Sequence, residues 1–83
     1  MQDYYRILGV KRDAKLDEIK KAYLSLLKKY HPDVYVGDSM VAQQKTAELN
    51  QIYDTLKDEQ LRLKYDVEVF GVSEYKKSQE QNI

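Results

Sequence analysis

Between Leu16 and Tyr30 the chain places apolar residues at Leu16, Ile19, Ala22, Tyr23, Leu26, Leu27 and Tyr30, the spacing of one helical face. The pattern predicts a helix with one buried side, and the chain's only proline, Pro32, sets its end. Proline has no amide proton and disfavours the α region for the residue before it, so the helix must close at or near His31. The only histidine therefore sits beside the only proline, with Asp33 next. An imidazole and a carboxylate are left on a loop of restricted shape, which suits docking to another surface better than packing a core. Asp13 or Asp17 is placed to cap or charge-stabilise the start of this helix. Lys28 and Lys29 lie in its last turn, where cations complement the helix dipole.

After the loop, Gly37 marks a turn and Asp38 or Ser39 a cap for a second long helix ending near Lys57. Its stripe is Val41 or Ala42, then Leu49, Ile52, Tyr53 and Leu56, with Thr46 where the stripe would continue. That substitution leaves the first half of the helix weakest. Asp3 to Gly9 reads as a brief capped helix closed by a left-handed glycine, and Glu59 to about Val69 carries Leu61, Tyr65 and Val69 at four-residue steps. No strand-like alternation persists. The expected fold is all-α: an antiparallel hairpin of two long helices with short flanking helices over 1–71, then a polar tail over 72–83 that should fray. Tryptophan is absent and phenylalanine occurs once, so the eight tyrosines must supply the aromatic bulk. Tyr23, Tyr30, Tyr53 and Tyr65 are read as core residues, and Asn50 and Asp54 as solvated.

Eighty-three residues suit one small domain. There is no cysteine, which excludes disulfides, thiolate zinc sites and cysteine nucleophiles. A single histidine without a second convergent acid gives no triad or metal site, so no catalytic residue, cofactor or metal is expected. Fourteen basic and fourteen acidic residues cancel, which argues against nucleic-acid binding through bulk charge. A small helical nucleic-acid binder would have to use Lys20, Lys21, Lys28 and Lys29, with no arginine cluster to help. Those lysines also have a plain reading as helix-surface partners: Asp17 with Lys20 and Lys21, Glu18 with Lys21, each pair worth roughly 0.2–0.5 kcal/mol. No segment approaches the ~20 apolar residues of a membrane span, and the amino terminus lacks a basic start and apolar run. A cytoplasmic monomer that binds neither nucleic acid nor membrane is expected.

Taken together, four blocks make the chain similar to the J-domain, the module by which DnaJ-type (Hsp40) co-chaperones act on Hsp70 chaperones. Asp3-Tyr4-Tyr5-Arg6-Ile7-Leu8-Gly9-Val10 resembles the opening helix of that family. Asp17-Glu18-Ile19-Lys20-Lys21-Ala22-Tyr23, followed by Lys29-Tyr30-His31-Pro32-Asp33, resembles its second helix and signature loop. Glu48 to Asp58 resembles the third helix, and Arg62, Tyr65-Asp66 and Phe70-Gly71 resemble the fourth helix and the residues after it. The resemblance implies a DnaK-type Hsp70 as partner: the loop and second helix dock on its ATPase domain near the interdomain linker and promote ATP hydrolysis and substrate capture. On this reading His31, Pro32 and Asp33 form the signature, and Asp33 meets an Hsp70 arginine through a charge-assisted hydrogen bond. Pro32 holds the loop shape and His31 orients it. Lys20, Lys21, Lys28 and Lys29 are the docking cations, Lys20 matching the family best, with Tyr23 close to the contact surface.

The chain also departs from that pattern. Leu24 and Ser25 stand where the family often has Lys and Arg, and Val34 follows the signature where a basic residue is frequent. The thinner positive face implies weaker, less salt-dependent docking, or an apolar patch on a particular partner opposite Leu24. It also leaves an alternative reading, a J-like scaffold or assembly domain with weak or no ATPase stimulation. Thr46 replaces a core phenylalanine, a loss that costs several kcal/mol unless Met40, Tyr35 or Phe70 refills the space. Gln60-Leu61-Arg62-Leu63-Lys64 differs from the Gln-Lys-Arg-Ala-Ala common in bacterial members, and two extra residues separate Tyr65-Asp66 from Phe70-Gly71. No glycine/phenylalanine-rich stretch, zinc module or client-binding domain follows Gly71, so a longer parent chain or a separate targeting partner is expected to bring the client.

Overall fold

A computed structural model describes residues 2–75 as four helices, α1 (Tyr4–Leu8), α2 (Leu16–Tyr30), α3 (Ser39–Leu56) and α4 (Glu59–Phe70), with no strand among them. Three of the four begin on an aspartate. Asp3 accepts the amides of Tyr5 and Arg6, Asp38 that of Met40, and Asp58 those of Gln60 and Leu61. The exception is α2, whose preceding residue is Lys15 and makes no side-chain cap. Neither Asp13 nor Asp17 therefore caps it; Asp17 and Glu18 lie in its first turn, where their charge suits the helix dipole. Gly9, at φ 74°, closes α1 in the left-handed conformation expected of it.

The two long helices run antiparallel. Near the closed end of the hairpin the Thr46 hydroxyl donates to the Tyr30 carbonyl at 3.5 Å, and one helical stretch back the Tyr23 and Tyr53 rings stack with centroids 4.3 Å apart. The core collects Tyr5 and Leu8 of α1, Ala14, Ile19 of α2, Leu49, Ile52 and Leu56 of α3, and Tyr65 of α4. Burying each large apolar side chain contributes about 1.5–3 kcal/mol. At the start of α3 the inward position belongs to Ala42, and Val41 is exposed.

The fourth helix turns a different face inward from the one its apolar spacing suggests. Tyr65 is buried and Val69 half-buried, as that spacing requires, but Leu61 is 49% exposed while Arg62 and Asp66 are 2% and 1% exposed. Burying a charge is costly unless its hydrogen bonds are complete. Here both charges are paired. The Tyr5 hydroxyl donates to Asp66 Oδ1 and accepts from Arg62 Nε at 3.0 Å. Arg62 Nη2 donates to the carbonyls of Arg12, at 3.1 Å, and Ala14, at 2.7 Å. Ser73 Oγ donates to Asp66 Oδ2 at 2.6 Å, and among the described residues no buried side-chain nitrogen or oxygen lacks a partner.

This network draws the first residues after α4 into the packed domain. Ser73 is buried, the Tyr75 ring lies 4.1 Å from the Arg62 guanidinium carbon, and Arg12 reaches the Val72 carbonyl at 3.5 Å. The remainder of the tail, 76–83, lies outside the described residues. α4 runs on to Phe70, whose ring packs 6.2 Å from both Tyr5 and Tyr65 and beneath Arg12 at 3.8 Å.

Burial, reinforced by the Asp66 carboxylate, pushes the Tyr5 hydroxyl far above the ordinary tyrosine range, and burial raises Tyr65 as well. The unfolded chain then loses these protons first, so the stability they contribute is complete below a pH of about 9 and falls as the pH rises through 10 and beyond. Tyr5→Phe removes one donor and one acceptor from the buried network and should cost about 1–3 kcal/mol at neutral pH. Urea unfolding should show this loss together with a shallower alkaline decline than in the parent chain.

Candidate partner-docking site

The end of α2 is built by proline. His31 is extended, at φ −61° and ψ 133°, as the residue before a proline must be, and the helix stops at Tyr30. The His31 carbonyl then accepts two amides, from Val34 at 3.0 Å and Tyr35 at 2.9 Å, which closes a turn with Pro32 and Asp33 at its apex. Asp33 donates its amide to His31 Nδ1 at 3.2 Å. That bond needs an unprotonated Nδ1, whereas the 3.7 Å approach of Asp33 Oδ2 to the same nitrogen needs a protonated one. The two cannot coexist, and the amide bond, the shorter of them, assigns the neutral-ring proton to Nε2. The imidazole then orients the loop backbone, and the Asp33 carboxylate, 90% exposed, is left to an external donor.

Behind the turn, the Tyr35 ring packs 5.7 Å from that of Tyr30. Thr46 and Tyr35 both reach Tyr30, the one through its carbonyl and the other through its ring. Met40 is exposed, and Phe70 sits at the other end of the molecule against Tyr5.

The four lysines do not form one patch. At ~100° per residue, Lys20, Lys21, Leu24 and Lys28 fall within one arc of about 100° on the side of α2 away from α3, whereas Lys29 falls outside it. Lys29 is exposed on another flank, 5.7 Å from the Tyr30 ring. Tyr23 belongs to the interhelical seam: it is half-buried, stacked on Tyr53, and donates its hydroxyl to Asn50. Asn50 is thus engaged by that bond, and Asp54 pairs with Lys57 at 3.1 Å. Among the described residues no ion pair ties Asp17 or Glu18 to Lys20 or Lys21, which leaves those ammonium groups to solvent or a partner.

A further feature escapes sequence reasoning. Leu24 and Leu27 of α2 meet Val34, from beyond the turn, along one open groove that also includes Lys21, Ser25, Lys28 and His31. Spacing along α2 aligns Leu24 and Leu27, but only the turn geometry brings Val34 to them.

The molecule is thus a hairpin of two long helices with a proline-held His-Pro-Asp turn at its closed end, and the family model described as the DnaJ domain matches residues 3–66. The chain belongs to the J-domain family. Over 64 residues it is 55% identical to the Chaperone protein DnaJ of Acidiphilium cryptum, covering 77% of this chain and 16% of that protein. It is 54% identical to the Chaperone protein DnaJ of Rickettsia akari over 65 residues and 49% identical to that of Rhodospirillum centenum over 65 residues, with 78% of this chain and 17% of each relative covered. The chain thus spans about one sixth of the curated relatives it matches, the part that is the J-domain.

One position tests how the J-domain's turn is held. Gly37 has φ 152°, and a Cβ there would lie 2.9 Å from the Tyr35 ring. Gly37→Ala should therefore displace Tyr35 from Tyr30 and cost about 1–3 kcal/mol through strain. Amide chemical shifts should change at residues 31–37 while those of α1 and α4 remain as they are.

Proposed function

We propose that this J-domain is an Hsp70 co-chaperone module that docks through His31-Pro32-Asp33 and the basic face of α2 and stimulates ATP hydrolysis by its partner. The observation that carries this reading is the Asp33 carboxylate: fully presented at the apex of a proline-held turn, with His31 satisfying the backbone in its place. A buried carboxylate would belong to the fold, whereas an exposed one on a fixed turn suits a cationic donor, such as a guanidinium, in another molecule. Lys20, Lys21 and Lys28 add positive charge on the same side of the helix and would steer an acidic partner surface into register. The domain's part is to bind and bias its partner, and the ATP chemistry belongs to the Hsp70.

The test is single-turnover ATP hydrolysis by the DnaK-type Hsp70 encoded in the same genome. Loss of one charge-assisted hydrogen bond is worth roughly 1.5–3 kcal/mol, so Asp33→Asn should lower the apparent affinity for stimulation by at least about tenfold. Lys20→Ala, an exposed cation, should cost only about two- to threefold, and less at high salt. Equal stimulation by the parent chain and Asp33→Asn would contradict the reading. No stimulation by either, with binding retained, would favour a scaffold domain instead.

A further inference from the structure

We propose that the groove edged by Leu24, Leu27 and Val34 receives an apolar side chain that the Hsp70 partner presents beside a carboxylate, so that this J-domain selects its partner by an apolar contact next to the signature turn. The proposal rests on the reading that this face docks an Hsp70. Leu24 is 45% exposed and Val34 65% exposed, and they approach from opposite sides of the turn, one on α2 and one beyond Asp33. A lone exposed leucine needs no explanation. Three branched side chains converging on one concavity form a site that water covers poorly and an apolar group covers well.

The rim tells which partner fits. Lys21 and Lys28 stand along the groove, His31 borders it, and among the described residues no ion pair engages either lysine. An acidic group beside the incoming apolar side chain would answer that charge. A second copy of this chain answers it badly, because an isologous pairing would set the lysine rims of two copies against each other. The groove is also continuous with the Asp33 turn, so one partner surface can meet both. At positions 24 and 34 the contact would respond little to salt, since apolar burial carries no charge to screen. A partner with acidic residues opposite Leu24 and Val34 would be disfavoured, because their carboxylates would lose water without gaining a donor.

The experiment measures binding to the DnaK-type Hsp70 encoded in the same genome, at about 50 and about 300 mM salt, for the parent chain and for Leu24→Ala, Val34→Ala, Leu24→Lys and Asp33→Asn. Leu24 and Val34 are exposed, so these variants should keep the fold, which circular dichroism checks. Leu24→Ala should weaken binding by about fivefold or more at both salt concentrations, with a smaller loss for Val34→Ala. Leu24→Lys should bind more weakly than the parent at both. Parent-like binding by Leu24→Ala, or tighter binding by Leu24→Lys at low salt, would overturn the proposal. Sedimentation of the parent chain as a dimer that Leu24→Ala dissociates would assign the groove to a second copy and overturn it as well. Asp33→Asn separates the two levels: if it binds and stimulates like the parent, the docking reading fails and the groove with it. If it fails while Leu24→Ala behaves like the parent, only the groove proposal falls.

Discussion

The Tyr5 hydroxyl, placed between a buried guanidinium and a buried carboxylate, ties the two ends of this small domain together. Arg62 and Asp66 come from α4, Tyr5 from α1, and Ser73 from the segment after α4, while the Arg62 guanidinium also holds the carbonyls of Arg12 and Ala14 just before α2. A domain of this size has little apolar area to spare, and it places two charges in its interior. They are tolerated because α1, the segment before α2 and the segment after α4 all contribute hydrogen bonds to them. The same arrangement makes them demanding, since loss of any one partner leaves a buried charge underserved.

The His-Pro-Asp turn depends on that anchor at one remove. One end of α2 is set by the carbonyls that Arg62 holds and by the buried Ile19, and the other by Pro32. Between these fixed points the helix offers α3 one face, lined with Tyr23, Leu26 and Tyr30, and presents the other to solvent with its lysines and Leu24. A helix fixed at both ends holds Asp33 in place, and on the proposed docking reading that pre-organisation would lower the entropy lost on binding.

Most of this was legible in the chain, and the exceptions share a cause. The extents of α1, α2 and α3, the glycine closing α1 and the stop at His31 follow from local rules of periodicity, capping and proline sterics. On α4 that logic misled at Leu61, because the buried face is built from Arg62 and Asp66, and a charge reads as a surface residue until its partners are known. The packed segment through Tyr75 was hidden for the same reason: Ser73 looks like tail until Asp66 accepts its hydroxyl. At the site, the His-Pro-Asp turn and the α2 lysines were visible as sequence. The separation of Lys29 from the other three required only helix geometry, whereas the meeting of Val34 with Leu24 required the turn itself.

On the proposed reading, this J-domain meets its partner along α2 and the His-Pro-Asp turn. Amide NMR spectra of the labelled domain, titrated with the ATP-bound DnaK-type Hsp70 encoded in the same genome, test it most directly. Docking there would perturb Lys20, Lys21, Leu24, Lys28, His31, Asp33 and Val34, with the outer face of α4 around Leu63 and Val67 unchanged. Perturbation centred on Leu63 and Val67, with residues 31–34 unmoved, would contradict it.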